Sequence, residues 1–209
     1  MLELPHLPLD EIMNLTDRIA RQFADSAQTK LDAAKTLAEP IADACRLMVA
    51  SLRMGGKIMA CGNGGSAADS QHFAAELLNR FEKERVPLAA LALTTDTSTL
   101  TSIANDYAFD QVFAKQVWAL GRKDDVLLAI STSGNSPNVI EAMAKAHELG
   151  VHVIALTGKG GGHMANALHP GDIHLCVAAE RTARIQEVHL LVLHSLCDGI
   201  DTLLFGDNE

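Results

Sequence analysis

Residues 57–80 read KIMACGNGGSAADSQHFAAELLNR, and this stretch decides the fold. Its apolar start, Ile58 to Cys61, has the pattern of a short buried strand. A glycine-rich turn, residues 62–65, follows, and a helix is predicted to open at Ser66, a residue type that favours the N-cap. Because a glycine turn lets the backbone approach a ligand and a helix N-terminus attracts an anion, this combination predicts a cradle for a phosphate or sugar phosphate. A tight connection that binds nothing is the alternative.

The helix that follows carries two residues suited to chemistry. His72 and Glu76 are four residues apart, so they share one face of the helix. An ordinary exposed pair has the same spacing. A helix that begins at a ligand-binding turn, however, points its early residues toward the same cleft, where an imidazole and a carboxylate can act as acid, base or metal ligands.

The rhythm of strand, turn and helix recurs along the chain. Helical stretches separate four further apolar strand candidates, at residues 88–93, 126–130, 152–156 and 173–177. This alternation predicts an α/β fold with a doubly wound, parallel, five-stranded sheet flanked by helices. Ligands of such sheets bind at the carboxyl ends of the strands, and hydroxyl-rich turns follow several of these ends.

The turn after the third predicted strand reads STSGNS, residues 131–136. Its hydroxyl groups can donate hydrogen bonds to phosphate oxygens, and a helix N-terminus lies directly behind it. A capped turn without a ligand is the alternative for this segment alone. Together with the glycine turn, it predicts that one turn holds a phosphate while the other positions sugar hydroxyl groups.

The chain is expected to form a single domain over residues 1–209, as its length allows. Residues 1–9 are predicted to be a loose leader, because two prolines oppose a helix there. Residues 10–54 are predicted to form a pair of helices that is broken near Pro40. Residues 55–209 are predicted to be the α/β core, which ends in a long helix at residues 181–205.

Three polar residues interrupt the apolar surface of the last predicted helix: Gln186, His189 and His194. A single histidine in such a helix is usually a core residue with a hydrogen-bond partner, and we interpret His189 in this way. Gln186 and His194 are eight residues apart, which is about 12 Å along a helix axis. If both belong to one kind of site, we expect different subunits to supply them.

The composition argues against several classes of protein. The formal net charge of −9 argues against a general binder of nucleic-acid backbone, which needs a clustered basic surface. The N-terminus lacks the pattern of a signal peptide, and no run approaches the roughly eighteen apolar residues of a membrane span. We therefore expect a cytoplasmic protein with neither nucleic acid nor membrane as a direct partner.

Five motifs, in order, resemble one known family. They read CGNGGSAADSQHFAAELLNRF, ALTTDTSTLTSIANDY, DDVLLAISTSGNSPNVIEA, ALTGKGGG and TARIQEVHLLVLHSLCD. The chain resembles the sugar isomerase (SIS) domain family from about residue 18 to residue 205. Within that family it is most similar to the phosphoheptose isomerases.

The resemblance implies a flavodoxin-like sheet in a homotetramer whose active sites lie between subunits. It also implies an isomerase that converts sedoheptulose 7-phosphate to D-glycero-D-manno-heptose 7-phosphate, the first step toward the ADP-heptose of the lipopolysaccharide core. The reaction requires protons to move between adjacent carbons of an open-chain sugar through an enediol.

The same resemblance implies roles for individual residues. The implied acid/base pair is Glu76 and His194, and one Zn²⁺ per subunit would be held by His72, Glu76, Gln186 and His194. The hydroxyl groups of the 131–136 turn would hold the phosphate. The implied substrate-binding residues are Asn63, Gly64, Gly65, Glu76, Asn105, Asp106, Ser131, Thr132, Ser133, Ser136 and Gln186.

Two other functions fit parts of the sequence. A related tetrameric SIS protein binds the bacterial replication initiator instead of acting as an isomerase, and the shared C-terminal segment LCDGIDTLLF leaves this alternative open. That branch replaces the residues matching Glu76 and His194, whereas this chain retains both. A regulatory SIS module is usually joined to a DNA-binding or synthetase domain, and no such domain fits here.

Overall fold

The structure, a computed structural model, describes residues 14–206. The predicted leader, residues 1–9, lies outside the described residues. The described part of the chain alternates strands and helices from residue 58 onward, as the sequence predicts.

One parallel sheet of five strands forms the centre of the fold, which confirms the predicted class. The spatial order is β2-β1-β3-β4-β5, and every neighbouring pair is parallel. The strand β2 is shorter than predicted, whereas β3 and β4 extend beyond their predicted carboxyl ends. The strands are β1 (Ile58–Cys61), β2 (Ala90–Ala92), β3 (Val126–Ser131), β4 (His152–Gly158) and β5 (Ile173–Val177).

Helices cover both faces of this sheet because successive side chains of a buried strand point to opposite sides. Ile58 and Ala60 of β1 pack with the first, second and last helices, whereas Met59 and Cys61 pack with the helices around β3. A short 3-10 turn, Lys159–Gly161, precedes the smallest helix. The helices are α1 (Leu15–Arg53), α2 (Gly65–Leu78), α3 (Thr97–Asp106), α4 (Gln111–Leu120), α5 (Pro137–Leu149), α6 (Gly162–Asn166) and α7 (Thr182–Phe205).

The N-terminal region forms one continuous helix, so the predicted pair of helices is wrong. Helix α1 is 39 residues long and contains Pro40 in its interior. An interior proline removes a backbone hydrogen bond and costs about 3 kcal/mol. Buried side chains on both sides of Pro40, including Leu37 and Met48, pack on the core, and this shared packing keeps the two halves in one helix.

The strand order creates a switch point between β1 and β3. The chain leaves β1 toward β2 on one side and later returns to β3 on the other side. The connections that follow these two strands therefore diverge, and a crevice opens at their carboxyl ends. The glycine turn and the STSGNS turn both lie at this crevice.

Helix α7 is a core helix with a strongly apolar sequence. By length and composition alone it could cross a membrane, contrary to the expectation that no segment approaches this limit. One face of α7 packs against the sheet and α1 along the length of the helix, and 44% of its most apolar window is buried. The apolar character therefore fits its place in the core.

His189 is buried within this helix and is a core residue, as predicted. Its Nε2 atom donates a hydrogen bond to the carbonyl oxygen of Thr157 at 3.0 Å, while Nδ1 has no partner among the described residues. Burial lowers the pKa of His189 from 6.5 to about 4, since the charged imidazole loses its hydration.

This lowered pKa predicts how stability depends on pH. Between pH 6.5 and about 4 the unfolded chain binds a proton at His189 that the folded chain does not, so stability falls as the pH falls. The contribution of His189 to this loss is up to about 3 kcal/mol. Urea unfolding of His189→Gln should show a smaller pH dependence than the wild type over this window. An unchanged pH dependence would contradict the prediction.

Candidate active site

The glycine turn leads into α2 without the predicted side-chain cap. The helix begins at Gly65, one residue before Ser66, and Gly64 occupies the N-cap position with a φ of 56°. Ser66 is buried and makes no capping hydrogen bond, so the prediction of Ser66 as N-cap is wrong. No side chain caps the first turn of α2, and the backbone N–H groups of Ser66 and Ala67 donate to the carbonyl oxygens of Asn63 and Gly64. The positive end of the helix dipole still favours an anion at this turn.

Gln186 of α7 lies directly against the start of α2. A Cβ atom added to Gly65 would lie 2.3 Å from the Gln186 Nε2 atom, which is closer than any side chain allows. A larger residue at position 65 would therefore displace the end of the Gln186 side chain from this place. The structure thus brings Gln186 to the glycine turn within one chain.

His194 meets the other functional part of α2. The Nε2 atoms of His72 and His194 are 2.9 Å apart, and the Glu76 Oε1 atom lies 3.6 Å from the His72 Nδ1 atom. All three side chains are half-buried, and the Phe81 ring packs near His194 with centroids 5.5 Å apart. A carboxylate and two imidazoles therefore gather within a single chain.

The two helices run side by side in the same direction. Gly65 and His72 are about 10 Å apart along α2, and Gln186 and His194 are separated by a similar rise along α7. Within one chain, Gln186 and His194 thus reach two different points of α2. Delivery of either residue to a neighbouring subunit's site stays a prediction.

The surroundings of this cluster raise the pKa values of two neighbouring acidic groups. Burial raises the pKa of Asp69, one turn before His72, although the charge of His72 opposes the shift. Burial also raises the pKa of Cys197, and the negative charges of Glu76 and Asp201 raise it further. Cys197 is therefore a neutral thiol beside Glu76.

The STSGNS turn is ordered by its own hydroxyl groups. Ser131 ends β3 as a buried residue, and its Oγ atom is 2.8 Å from the Ser136 Oγ atom. The Ser133 Oγ atom accepts a hydrogen bond from the backbone N–H of Asn135, and Thr132 is half-buried beside it. These four hydroxyl-bearing residues line a turn that leads into the N-terminus of α5.

Gly134 lets this turn approach the loop after β4. Its φ is +66°, and an added Cβ atom would lie 1.9 Å from the Gly161 carbonyl oxygen. The backbone N–H of Met164 donates a hydrogen bond to the Gly134 carbonyl oxygen. The TGKGGG segment after β4 therefore packs directly against the STSGNS turn.

A reciprocal pair of hydrogen bonds between two side-chain amides joins the glycine turn to the helix that follows the STSGNS turn. The Nδ2 atom of Asn63 donates to the Asn138 Oδ1 atom, and the Nδ2 atom of Asn138 donates to the Asn63 Oδ1 atom, both at 2.8 Å. Asn138 is buried in the first turn of α5. Asn138 is not among the site residues predicted from the sequence, although an amide in the first turn of a helix behind a serine turn was a signal.

We expect Asn138→Asp to impair substrate binding. Aspartate can accept from the Asn63 amide but cannot donate to its oxygen, and the repulsion between these oxygens separates the turns. KM for the sugar phosphate should rise about tenfold, the equivalent of about 1.4 kcal/mol. The exposed Asn166→Asp in α6 is the matched control. Steady-state kinetics with an unchanged KM would contradict the prediction.

Asn105 and Asp106 lie apart from this cluster. They end α3 on the exposed surface, where the Asn105 Nδ2 atom donates to the Asp106 Oδ1 atom at 2.8 Å. No hydrogen bond or ion pair joins them to the other predicted site residues in the part of the chain that the structure describes. Their role in substrate binding stays a prediction.

The predicted zinc ligands fit a metal by type and partly by position. Imidazole nitrogen and carboxylate oxygen are ordinary zinc ligands, and two Nε2 atoms already face each other. Within residues 14–206, no group of three or more histidine, cysteine, aspartate or glutamate side chains is arranged to hold a metal ion. The Glu76 carboxylate lies instead near the Nδ1 side of His72.

The fold and site define a doubly wound α/β protein with a ligand crevice at its switch point. The sequence model of the SIS domain matches residues 22–158. The phosphoheptose isomerase of Azoarcus sp. strain BH72 is 73% identical over 197 residues, which cover 94% of this chain and all of the relative. The chain belongs to the SIS domain family and, within it, to the phosphoheptose isomerases.

Two solved structures show the same architecture. The phosphoheptose isomerase of Neisseria gonorrhoeae is 57% identical, with a TM-score of 0.87, and the match covers 90% of this chain and 100% of that chain. The phosphoheptose isomerase of Francisella tularensis is 49% identical, with a TM-score of 0.88, and the match covers 91% and 100%. The resemblance seen in the sequence motifs is thereby confirmed.

Proposed function

We propose that the protein is an aldose–ketose isomerase that converts sedoheptulose 7-phosphate to D-glycero-D-manno-heptose 7-phosphate. The observation that carries this proposal is the meeting of Glu76 with His72 and His194 on helices that begin at the ligand edge of the sheet. A relative with 73% identity is named phosphoheptose isomerase, which supports the choice of substrate.

The site supplies the groups that the reaction requires. A base removes a proton from C1 of the open-chain ketose to give an enediol, a proton is returned to C2, and the O1 proton is lost while O2 gains one. We assign Glu76 and His194 as the acid/base pair, because a carboxylate and an imidazole can each exchange protons near neutral pH. The STSGNS turn and the amides of α5 bind the phosphate, and Asn63 with the glycine turn positions the sugar.

We also propose that His72, Glu76, Gln186 and His194 hold one zinc ion per subunit. Bound zinc would polarise the oxygens of the enediol and stabilise their negative charge. The convergence of two imidazole Nε2 atoms supports this assignment. Elemental analysis of the purified protein should give about one zinc per chain, with a lower content in His72→Asn. A metal content unaffected by that substitution would contradict the ligand assignment.

A homotetramer with shared active sites accounts for the apolar surface of the monomer. An apolar groove between α1 and α7 is lined in part by Leu37, Ile41 and Leu191. A monomer rarely exposes so many large apolar side chains on adjacent helices. Light scattering should give the tetramer mass, and an active monomer would contradict shared sites. The exposed large apolar residues on the two helices are Leu15, Ile19, Phe23, Leu31, Leu190, Leu191, Leu203 and Phe205.

The cellular role follows from the reaction. The product would enter the synthesis of ADP-heptose for the lipopolysaccharide core in the cytoplasm, with no direct nucleic-acid or membrane partner. The alternative, a partner of the replication initiator, gains no support from the comparisons. Capture of the initiator protein by the purified protein in a pull-down would support this alternative.

The direct test is turnover of the proposed substrate. Incubation with sedoheptulose 7-phosphate should produce the aldose, detected by NMR of the anomeric proton. In deuterated water, exchange through the enediol should also place deuterium at the acceptor carbon. Absence of turnover by the wild-type tetramer would contradict the proposal.

A further inference from the structure

Arg85 occupies an unusual place between the two helices of the active site. Its side chain is 1% exposed, although it belongs to the loop between α2 and β2. The guanidinium donates to the carbonyl oxygens of Glu76 at 2.8 Å and Leu77 at 2.7 Å. These carbonyls belong to the last turn of α2, where helix geometry leaves them without an intrahelical partner.

The Nε atom of the same guanidinium contacts α7. The Arg85 Nε atom donates to the Asp201 Oδ1 atom at 2.8 Å, and the Asp201 side chain is only 7% exposed. Asp201 lies seven residues after His194, so both residues share one face of α7. Cys197 lies between them in sequence; burial raises the pKa of its thiol, and the negative charges of Glu76 and Asp201 raise it further.

The arrangement links the proposed base and its counterpart through one rigid group. One end of the guanidinium holds the backbone of Glu76 itself, and the other holds the helix face that carries His194. A planar guanidinium fixes such a set of partners in one geometry, whereas an ammonium group provides only a point charge. The positive charge also compensates the buried carboxylate and the negative end of α2.

We propose that Arg85 is a positioning residue that holds Glu76 and His194 at their working separation by joining the end of α2 to Asp201. The proposal rests on the acid/base roles assigned above. Arg85 does not touch the reacting atoms. Its effect comes from orientation, because a displacement of about 1 Å in a catalytic group can cost about a hundredfold in rate.

Two variants test this role. Arg85→Lys keeps the positive charge but removes the planar guanidinium that bonds three partners at once. We expect kcat to fall at least about tenfold while KM changes less than about threefold. Substrate binding should survive because the phosphate turn lies on other elements. Asp201→Asn keeps an acceptor for the Arg85 Nε atom. It should also lower kcat more than it changes KM, with a smaller fall in kcat than Arg85→Lys.

The matched control is a second ion pair with a buried carboxylate, which lies beside the amino ends of β1 and β3. Lys57 pairs with Asp125, whose side chain is 2% exposed, at the amino end of β1 and far from the crevice. Lys57→Gln should lower the Tm and leave kcat and KM unchanged. All rates are measured per folded protein, well below the Tm of each variant.

The outcomes separate positioning from stability. A folded Arg85→Lys protein with wild-type kcat would overturn the proposal, as would an equal loss of kcat in Lys57→Gln. Failure of both Arg85→Lys and Asp201→Asn to fold would show that the ion pair has only a structural role, and this result would also overturn the proposal. An inactive wild type would instead refute the isomerase function, so the two failures are distinguishable.

Discussion

Glu76→Gln should lower kcat about a thousandfold, because it removes the carboxylate that exchanges a proton with the substrate carbon. Glutamine has the same size, and the backbone carbonyl at position 76 keeps its hydrogen bond from Arg85. KM and the Tm should therefore change little. The measurement is steady-state turnover of sedoheptulose 7-phosphate beside thermal unfolding of the same sample.

The control for this variant is Glu84→Gln. The side chain of Glu84 is 91% exposed in the loop after α2, so its substitution should leave both kcat and KM unchanged. Full activity of Glu76→Gln would show that another group is the base.

His194→Gln should lower kcat by two to three orders of magnitude. The amide has no titratable nitrogen to exchange protons with the enediol oxygens or carbons, and it loses the contact between the Nε2 atoms of His194 and His72. His189→Gln provides a matched control on the same helix, since His189 faces the core and bonds Thr157. It should lose stability near neutral pH without a comparable loss of kcat.

The double variant Glu76→Gln/His194→Gln tests whether the two residues act together. Groups that work as one unit give non-additive losses, so the double variant should be little slower than the slower single variant. Fully multiplicative losses would indicate independent roles. In that case the pairing of Glu76 with His194 would be wrong.

Local patterns were sufficient to predict the sheet. The apolar runs of β1, β3 and β4 are nearly continuous because a central parallel strand is buried on both faces. The shorter β2 lies at the edge, where only part of the predicted 88–93 segment pairs with β1. Strand ends were less predictable because pairing with a neighbour decides where a strand stops.

Helix α1 shows how tertiary packing overrides a local signal. Pro40 is a reliable breaker in an isolated segment, but its cost is offset here by core contacts on both sides. The capping role of Ser66 failed for a related reason. Helix α2 begins one residue earlier, at Gly65, against which Gln186 packs, and Ser66 is buried.

The candidate site was predictable by residue type and not by geometry. The motifs drew attention to His72, Glu76, Gln186 and His194, whereas the rise along one helix suggested that separate subunits must supply the last two. The structure shows that α2 runs parallel to α7, so both residues already reach α2 within one chain. No property of one helix could reveal the direction of its neighbour.

By itself, the sequence determined the fold class, the family and the residue types of the site, because these depend on periodicity and on short motifs. Only the tertiary structure decided which distant residues meet. The Asn63–Asn138 pair spans two turns, and Arg85 joins α2 to Asp201 more than a hundred residues away. Such contacts depend on how elements pack, and hydrogen bonds between residues remote in sequence leave no local pattern to read.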